Sequence, residues 1–172
     1  MTPSKVFLGL GSNVEREIHL SLGLKMLEEH LTKIIRSPVF ESASIDGVAS
    51  PFYNLVIAGE TYLDLPELIA WIKEIEDLHG RRCTPNQTKI SLDIDLLFFN
   101  DLVGTFGDTQ LPRPEILERS YVLYPLYLLS PEKIHPLLGH SMSEIWSRKK
   151  VGPTLKMITN ALHVRDYQNA AC

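Results

Sequence analysis

Leu92-Asp93-Ile94-Asp95-Leu96 alternates apolar and acidic side chains, and a period of two is the signature of a strand. The run Ile90 to Phe99 is therefore expected as a strand, ended by Asn100 and Asp101. Leu92, Ile94, Leu96 and Phe98 would line one face. Asp93 and Asp95 would line the other, with Cα atoms roughly 6.5–7 Å apart. Two carboxylates on one face of so apolar a strand repel each other and resist desolvation, so something must compensate them. Oxygen ligands at this spacing suit Mg²⁺, which binds through one or two carboxylates plus substrate phosphates. An edge strand whose acidic face is simply hydrated meets the same need, and spacing alone leaves both accounts open.

The rest of the chain builds a frame around that strand. Lys5 to Leu10 reads as a short strand cut off by Gly11-Ser12-Asn13. Leu20, Leu24, Leu27 and Leu31 recur at helical spacing, with Ile18, Leu22 and Met26 broadening the stripe, which predicts a helix over 15–31. Thr32 to Ser42 is a strand with Pro38 inside it. Proline lacks an N–H, so this strand must lie at an edge or be interrupted there. A polar loop over 44–51 leads to the aromatic and β-branched strand Phe52 to Thr61. Asp64, Pro66 and Glu67 form a helix start, and Gly80 ends that helix. Residues 81–89 are a polar loop, 101–113 are loop-like, and 115–129 are helical around Pro125. The order β-α-β-β-α-β is the split βαβ plan of an α+β domain: a mostly antiparallel sheet with helices on one face and the other free for a ligand. The domain is expected over 1–146, with 147–172 as a C-terminal extension.

Composition excludes several classes. The chain has 172 residues and a net charge of −4, which argues against a general nucleic-acid binder. Cys83 and Cys172 are the two cysteines, so there is neither a disulfide framework nor a CxxC metal pair, and a reducing compartment is expected. No apolar run approaches the ~20 residues of a membrane span, and the N-terminus lacks the apolar core of a signal peptide. The expected setting is cytoplasmic, with no membrane and no nucleic acid as partner, and a monomer or weak homo-oligomer.

Other motifs carry less. Gly9-Leu10-Gly11-Ser12-Asn13 lacks the third glycine and the Lys-Ser/Thr of phosphate loops, and a tight strand-to-helix turn accounts for it. Gly80-Arg81-Arg82 and Lys89 suggest a basic loop over polyphosphate, although cations after a helix also stabilise its C-terminus. Arg113 and Arg119 are six apart, which is not one helix face. The six histidines show no metal spacing, and His135 and His140 read as turn or surface residues.

Gly11-Ser12-Asn13, Phe52-Tyr53-Asn54, Ile75-Glu76 with Gly80-Arg81, Leu92 to Phe98, Leu111-Pro112-Arg113 and Arg119 to Leu126 occur in this order. Together, over residues 5–146, they resemble the 6-hydroxymethyl-7,8-dihydropterin pyrophosphokinases of folate biosynthesis. The resemblance implies a ferredoxin-like core and an ATP-dependent pyrophosphokinase: ATP gives its terminal pyrophosphoryl group to the pterin hydroxymethyl and AMP is released. It also implies two Mg²⁺ ions, held by Asp93 and Asp95. Ser42, Ile45, Phe52, Asn54 and Tyr121 match pterin-binding positions. Glu76, Arg81, Lys89, Leu96, Arg113 and Arg119 match the ATP side, with Arg81 and Arg119 also catalytic through the phosphates.

The chain departs from the family where ATP is held. Ile90 stands at a usual Arg, Cys83 and Gln87 where an Arg and a Trp are usual, Asp108 at another Arg, and Arg113 at a usual His. Ser42-Ala43 replaces a Thr-Pro. Lys89 shares strand parity with the two aspartates and compensates for Ile90 if the strand reaches it. These departures also fit a catalytically weak paralogue that binds pterin or nucleotide, or a related Mg-dependent pyrophosphoryl transferase with another acceptor.

Overall fold

The structure, a computed structural model, describes residues 1–80, 88–149 and 155–162. Strand β1 (Ser4–Ser12) runs past its expected end at Leu10, because Gly11 and Ser12 still pair with Asn54 and Tyr53 of β4 (Phe52–Thr61). Helix α1 (Arg16–Leu27) is shorter than its apolar stripe, and Leu31 reaches the core from the turn that follows. Ile18 and Leu22, expected to widen the buried face, are exposed.

Pro38 divides its strand as expected, into β2 (Thr32–Arg36) and β3 (Val39–Ser42), both pairing with β4. Ser37 repairs the ladder there: its N–H donates to the Val56 carbonyl at 2.8 Å and its Oγ accepts from the Val56 N–H at 3.0 Å. Helix α2 (Leu65–Leu78) opens on a capping box. Asp64 Oδ1 accepts from Glu67 N at 2.9 Å and Glu67 Oε2 from Asp64 N at 2.8 Å, an arrangement that stabilises a helix start by about 1 kcal/mol.

Strand β5 (Asp93–Phe99) begins at the first aspartate, so Lys89 and Ile90 precede it. The segment expected as loop over 101–113 contains a hairpin, β6 (Gly104–Phe106) and β7 (Thr109–Leu111), turned through Gly107 at φ 61°. Helices α3 (Glu115–Glu118), α4 (Ser120–Leu129) and α5 (Met142–Arg148) follow, and then β8 (Lys156–Ile158). The expected boundary at 146 falls inside the last turn of α5. The described part of the extension supplies a strand.

Among the described residues the main sheet has six strands in the order β5-β1-β4-β3-β8, with β2 beside β4. Its pairings are antiparallel. The ferredoxin-like core is therefore present, with α1 and α2 over Val6, Leu8, Leu10, Ile57, Ile94 and Leu96. The opposite face, expected free for a ligand, is partly covered. Val122, Leu123 and Leu126 of α4 and Met142 of α5 pack on Phe7, Val56, Ala58, Leu97 and Phe98 there. Helix α4 is apolar on more than one side and needs that second surface. The half left open is the end where β1 carries Gly9 and Gly11.

One irregularity divides β5 into two parts. Leu8 pairs with Leu96 and Phe7 with Phe98, so Leu97 is an extra, bulged residue. Before the bulge Ile94 faces the α1–α2 layer and the aspartates face away. After it Phe98 has changed sides: it meets Phe7 edge-on at 5.7 Å instead of sharing a face with Leu92 and Ile94. Among the described residues no helix is long and apolar enough to cross a membrane.

Candidate active site

A cavity of about 370 Å³ occupies the open half of the sheet. Its floor is β1 at Gly9 and Gly11, with β4 and β5 on either side. The loop after β3 forms one wall, and Tyr121 and Val122 at the start of α4 form another. Strand parity explains the lining. Phe52, Asn54 and Val56 are alternate residues of β4, and Asp93 and Asp95 are alternate residues of β5. The two glycines put bare backbone between them. A Cβ at Gly11 would come 3.2 Å from Asn54 Oδ1, and one at Gly9 would meet Leu97 at 3.6 Å. Reading these glycines only as a turn missed that they share a strand face. The signal was present in Leu8-Gly9-Leu10-Gly11, where both glycines fall in the phase opposite the leucines.

The cavity has two chemically different ends. At one, Asn54 Nδ2 donates to Ser42 Oγ at 2.8 Å in a buried pair, with Phe52 beside them. The adjoining loop is fixed by Asp46, whose Oδ1 accepts from Ser44 Oγ at 2.7 Å, Val48 N at 2.9 Å and Ala49 N at 3.2 Å. These donors hold the Asp46 carboxyl below its usual pKa, the Ser44 hydroxyl most of all. Exposed Ile45 sits on this loop and also lines the cavity.

At the other end are Asp93 and Asp95. Arg113 Nη2 lies 2.7 Å from Asp95 Oδ1, and Arg113 Nε lies 3.2 Å from Glu115 Oε2. The bulge makes this possible, because the Leu97 carbonyl accepts the Arg113 N–H at 3.1 Å and draws the later segment alongside β5. Tyr121 shares this field. Burial raises its hydroxyl pKa above the usual value; Arg119 acts in the opposite sense, and Asp95, Glu115 and Asp93 add to the rise.

Asn13 fixes where β5 starts. Its Nδ2 donates to Thr88 O at 2.7 Å, its Oδ1 accepts from Ile90 N at 2.7 Å, and its backbone N–H donates to Ile90 O at 3.0 Å. Ile90 thereby lines the cavity. The acidic pair suits a hard dication such as Mg²⁺. Mg²⁺ usually takes one or two carboxylates and completes its shell with water and substrate oxygens, so this pair is enough; among the described residues no group of three His, Cys, Asp or Glu could hold a metal.

A model of the 7,8-dihydro-6-hydroxymethylpterin-pyrophosphokinase family matches residues 7–131. The chain belongs to this family. Over 151 residues it is 31% identical to the 2-amino-4-hydroxy-6-hydroxymethyldihydropteridine pyrophosphokinase of Aquifex aeolicus, covering 86% of this chain and 94% of that one. The protein of the same name from Helicobacter pylori is 32% identical over 131 residues, covering 73% of this chain and 80% of its own. The folic acid synthesis protein FOL1 of Dictyostelium discoideum is 33% identical over 135 residues, but those are only 20% of its length. Among solved structures, a Plasmodium falciparum HPPK-DHPS triple mutant matches with a TM-score of 0.68 at 17% identity, over 85% of this chain and 44% of that one. That likeness concerns the fold.

In this member of the pyrophosphokinase family, Ser42, Ile45, Phe52, Asn54, Asp93, Asp95 and Tyr121 all line the cavity. Arg113 reaches it through Asp95. Three residues expected on the ATP side do not line this cavity. Leu96 is buried in the α1–α2 core, because parity turns it away from the aspartates. Glu76 does not line the cavity; its buried Oε1 accepts from Ile94 N at 2.8 Å and ties α2 to the edge of β5. Lys89 is exposed and outside the strand, so its parity with Asp93 does not apply. Arg81, Cys83 and Gln87 lie outside the described residues. His135 opens a turn, as expected, but its ring is buried against Phe98 and not at the surface.

Proposed function

We infer that the chain's reaction is the one its family is named for: transfer of pyrophosphate from ATP to 6-hydroxymethyl-7,8-dihydropterin, giving AMP and the pterin diphosphate for folate biosynthesis. The observation that carries this reading is the two-ended cavity, with an amide-hydroxyl pair at one end and paired carboxylates at the other. In this reading the flat pterin lies over Gly9 and Gly11, with Phe52 and Tyr121 enclosing it. Asn54, Ser42 and the loop at Ile45 meet its polar edge.

The hydroxymethyl oxygen then points toward the aspartates, where it attacks the β-phosphorus of ATP. The new O–P bond forms as the bond from the β-phosphorus to the α,β-bridging oxygen breaks. AMP leaves and the hydroxyl proton passes to solvent. Transfers of this kind need alignment and charge neutralisation more than covalent help. Asp93 and Asp95 would hold two Mg²⁺ ions, which supply charge neutralisation on the triphosphate. Arg113 and Arg119 carry positive charge to the same end, and Arg81 belongs to the proposal as a further phosphate contact. A cytoplasmic setting and a monomeric or weakly oligomeric state are part of it too.

The test is direct. The purified chain with ATP, Mg²⁺ and 6-hydroxymethyl-7,8-dihydropterin is expected to yield AMP and pterin diphosphate in equal amounts. Release of ADP, or no turnover by folded protein, overturns the reading.

A further inference from the structure

Arg113 occupies ground that a substrate-borne cation would also need. Its guanidinium bridges two carboxylates, through Nη2 to Asp95 at 2.7 Å and through Nε to Glu115 at 3.2 Å. Its backbone is fixed to the bulge by the 3.1 Å bond to Leu97 O. The main chain at this point is therefore tied to β5, while the guanidinium rides on a flexible stem and is only about three-quarters buried. A carboxylate oxygen accepting a charge-assisted bond at this distance has part of its coordinating capacity already used. The positive charge also lies beside the approach of any dication, which it repels. Arg113 and a dication thus compete for Asp95.

We propose that Arg113 is a positioning residue, a resident counter-cation of Asp95: it keeps that carboxylate oriented before nucleotide binds, and yields it when nucleotide brings a dication and a polyphosphate together. The inference rests on the function proposed above.

The energetic logic is an exchange. Without nucleotide, a dication binding at Asp95 must displace the guanidinium, and Glu115, which already lies 3.2 Å from its Nε, gives it no new partner in exchange. With nucleotide, the guanidinium trades a carboxylate for a phosphate and the penalty disappears. Dication and nucleotide therefore bind cooperatively, and the coupling is reciprocal. The same competition predicts an opposed response to mutation. A neutral side chain at 113 removes the competitor, so the lone dication binds more tightly. It also removes a phosphate partner, so the dication–nucleotide complex binds more weakly. A residue that merely packed would not split the two affinities in this way.

The experiment uses the full chain with Mn²⁺ alone, the free ion being counted by electron paramagnetic resonance, and Mn²⁺ with α,β-methylene ATP. In Arg113→Gln, Mn²⁺ alone should bind about fivefold tighter or more, and the nucleotide complex about fivefold weaker or more, the scale of ordinary site-to-site coupling. Arg113→Lys keeps the charge and should leave Mn²⁺ alone near the wild-type affinity. Adding Asp95→Asn to Arg113→Gln should erase the gain. If circular dichroism shows Arg113→Gln unfolded, Arg113→His at about pH 8, where the ring is neutral, takes its place. Equal-direction changes in both affinities, or no tightening of Mn²⁺ alone, overturn the proposal. A wild-type chain that fails to bind the Mn²⁺–nucleotide complex at all is a different result: it removes the proposed function, and this inference with it.

Discussion

Asn54 shows how little room single residues have here. Its Nδ2 is committed to Ser42, and its Oδ1 faces the place where Gly11 has no Cβ. Gly11→Ala would set a methyl 3.2 Å from that oxygen, so the carboxamide must tilt. The backbone tolerates the change, since alanine in a strand is, if anything, favoured over glycine by about 0.5–1 kcal/mol. We expect the KM for the pterin to rise about tenfold, the worth of one hydrogen bond, at an unchanged melting temperature. An unaltered KM removes Asn54 from the pterin edge. His79 offers a different kind of test. Its Nδ1 lies 2.7 Å from His19 Nδ1, and burial, then His19, lowers its pKa; burial and then Lys133 do the same for His135. A folded pKa below the unfolded one means that the unfolded chain takes up the proton first. The resulting stability is full above about pH 6.5 and is lost as pH falls toward the depressed folded value. The melting temperature should therefore decline between about pH 7 and 5, and decline less in His79→Gln. Equal slopes would count against the pair.

At the scale of elements, the close approach of α1 to Leu92, the residue just before β5, decides the outcome at Gly23. A Cβ there would come 2.7 Å from Leu92 Cδ2, and Leu92 is buried. Alanine gains about 1 kcal/mol of helix propensity but overpacks the core at a typical cost of 1–3 kcal/mol. Gly23→Ala should be destabilising by about 1 kcal/mol in urea and should disturb Asp93 next door; a stabilised variant would mean that Leu92 has space to retreat. Legibility divides along the same lines. The capping box at Asp64 and the break at Pro38 were readable because each depends on residues within one turn or one peptide. The bulge was not, since the residues Leu96-Leu97-Phe98-Phe99 are apolar throughout and carry no phase. With the bulge hidden, the side taken by Phe98 and the docking of Arg113 beside Asp95 were hidden too. Asn13 was visible as part of a turn, but its clamp on 88–90 joins residues far apart in the chain.

For the whole molecule, the division into 1–146 and 147–172 can be tested by truncation. β8 pairs with β3 through Val39–Ile158, Phe40–Met157 and Glu41–Lys156, and Ala161 is buried in the α1–α2 core. A chain ended after Arg148 keeps α5 and every described cavity residue. It should fold with stability lowered by roughly 2–4 kcal/mol, the burial of one or two apolar side chains, and with pterin KM little changed. Failure to fold would make the extension part of the domain. The cavity floor lies away from that edge, and it is built from peptide groups at Gly9 and Gly11. Main-chain atoms are the same whatever residue carries them, so mutation has nothing on that surface to trim and can only add bulk. Variants that escape a flat competitive inhibitor should then arise in the walls, at Phe52, at Tyr121 or in the loop around Asp46, and seldom underneath the ring.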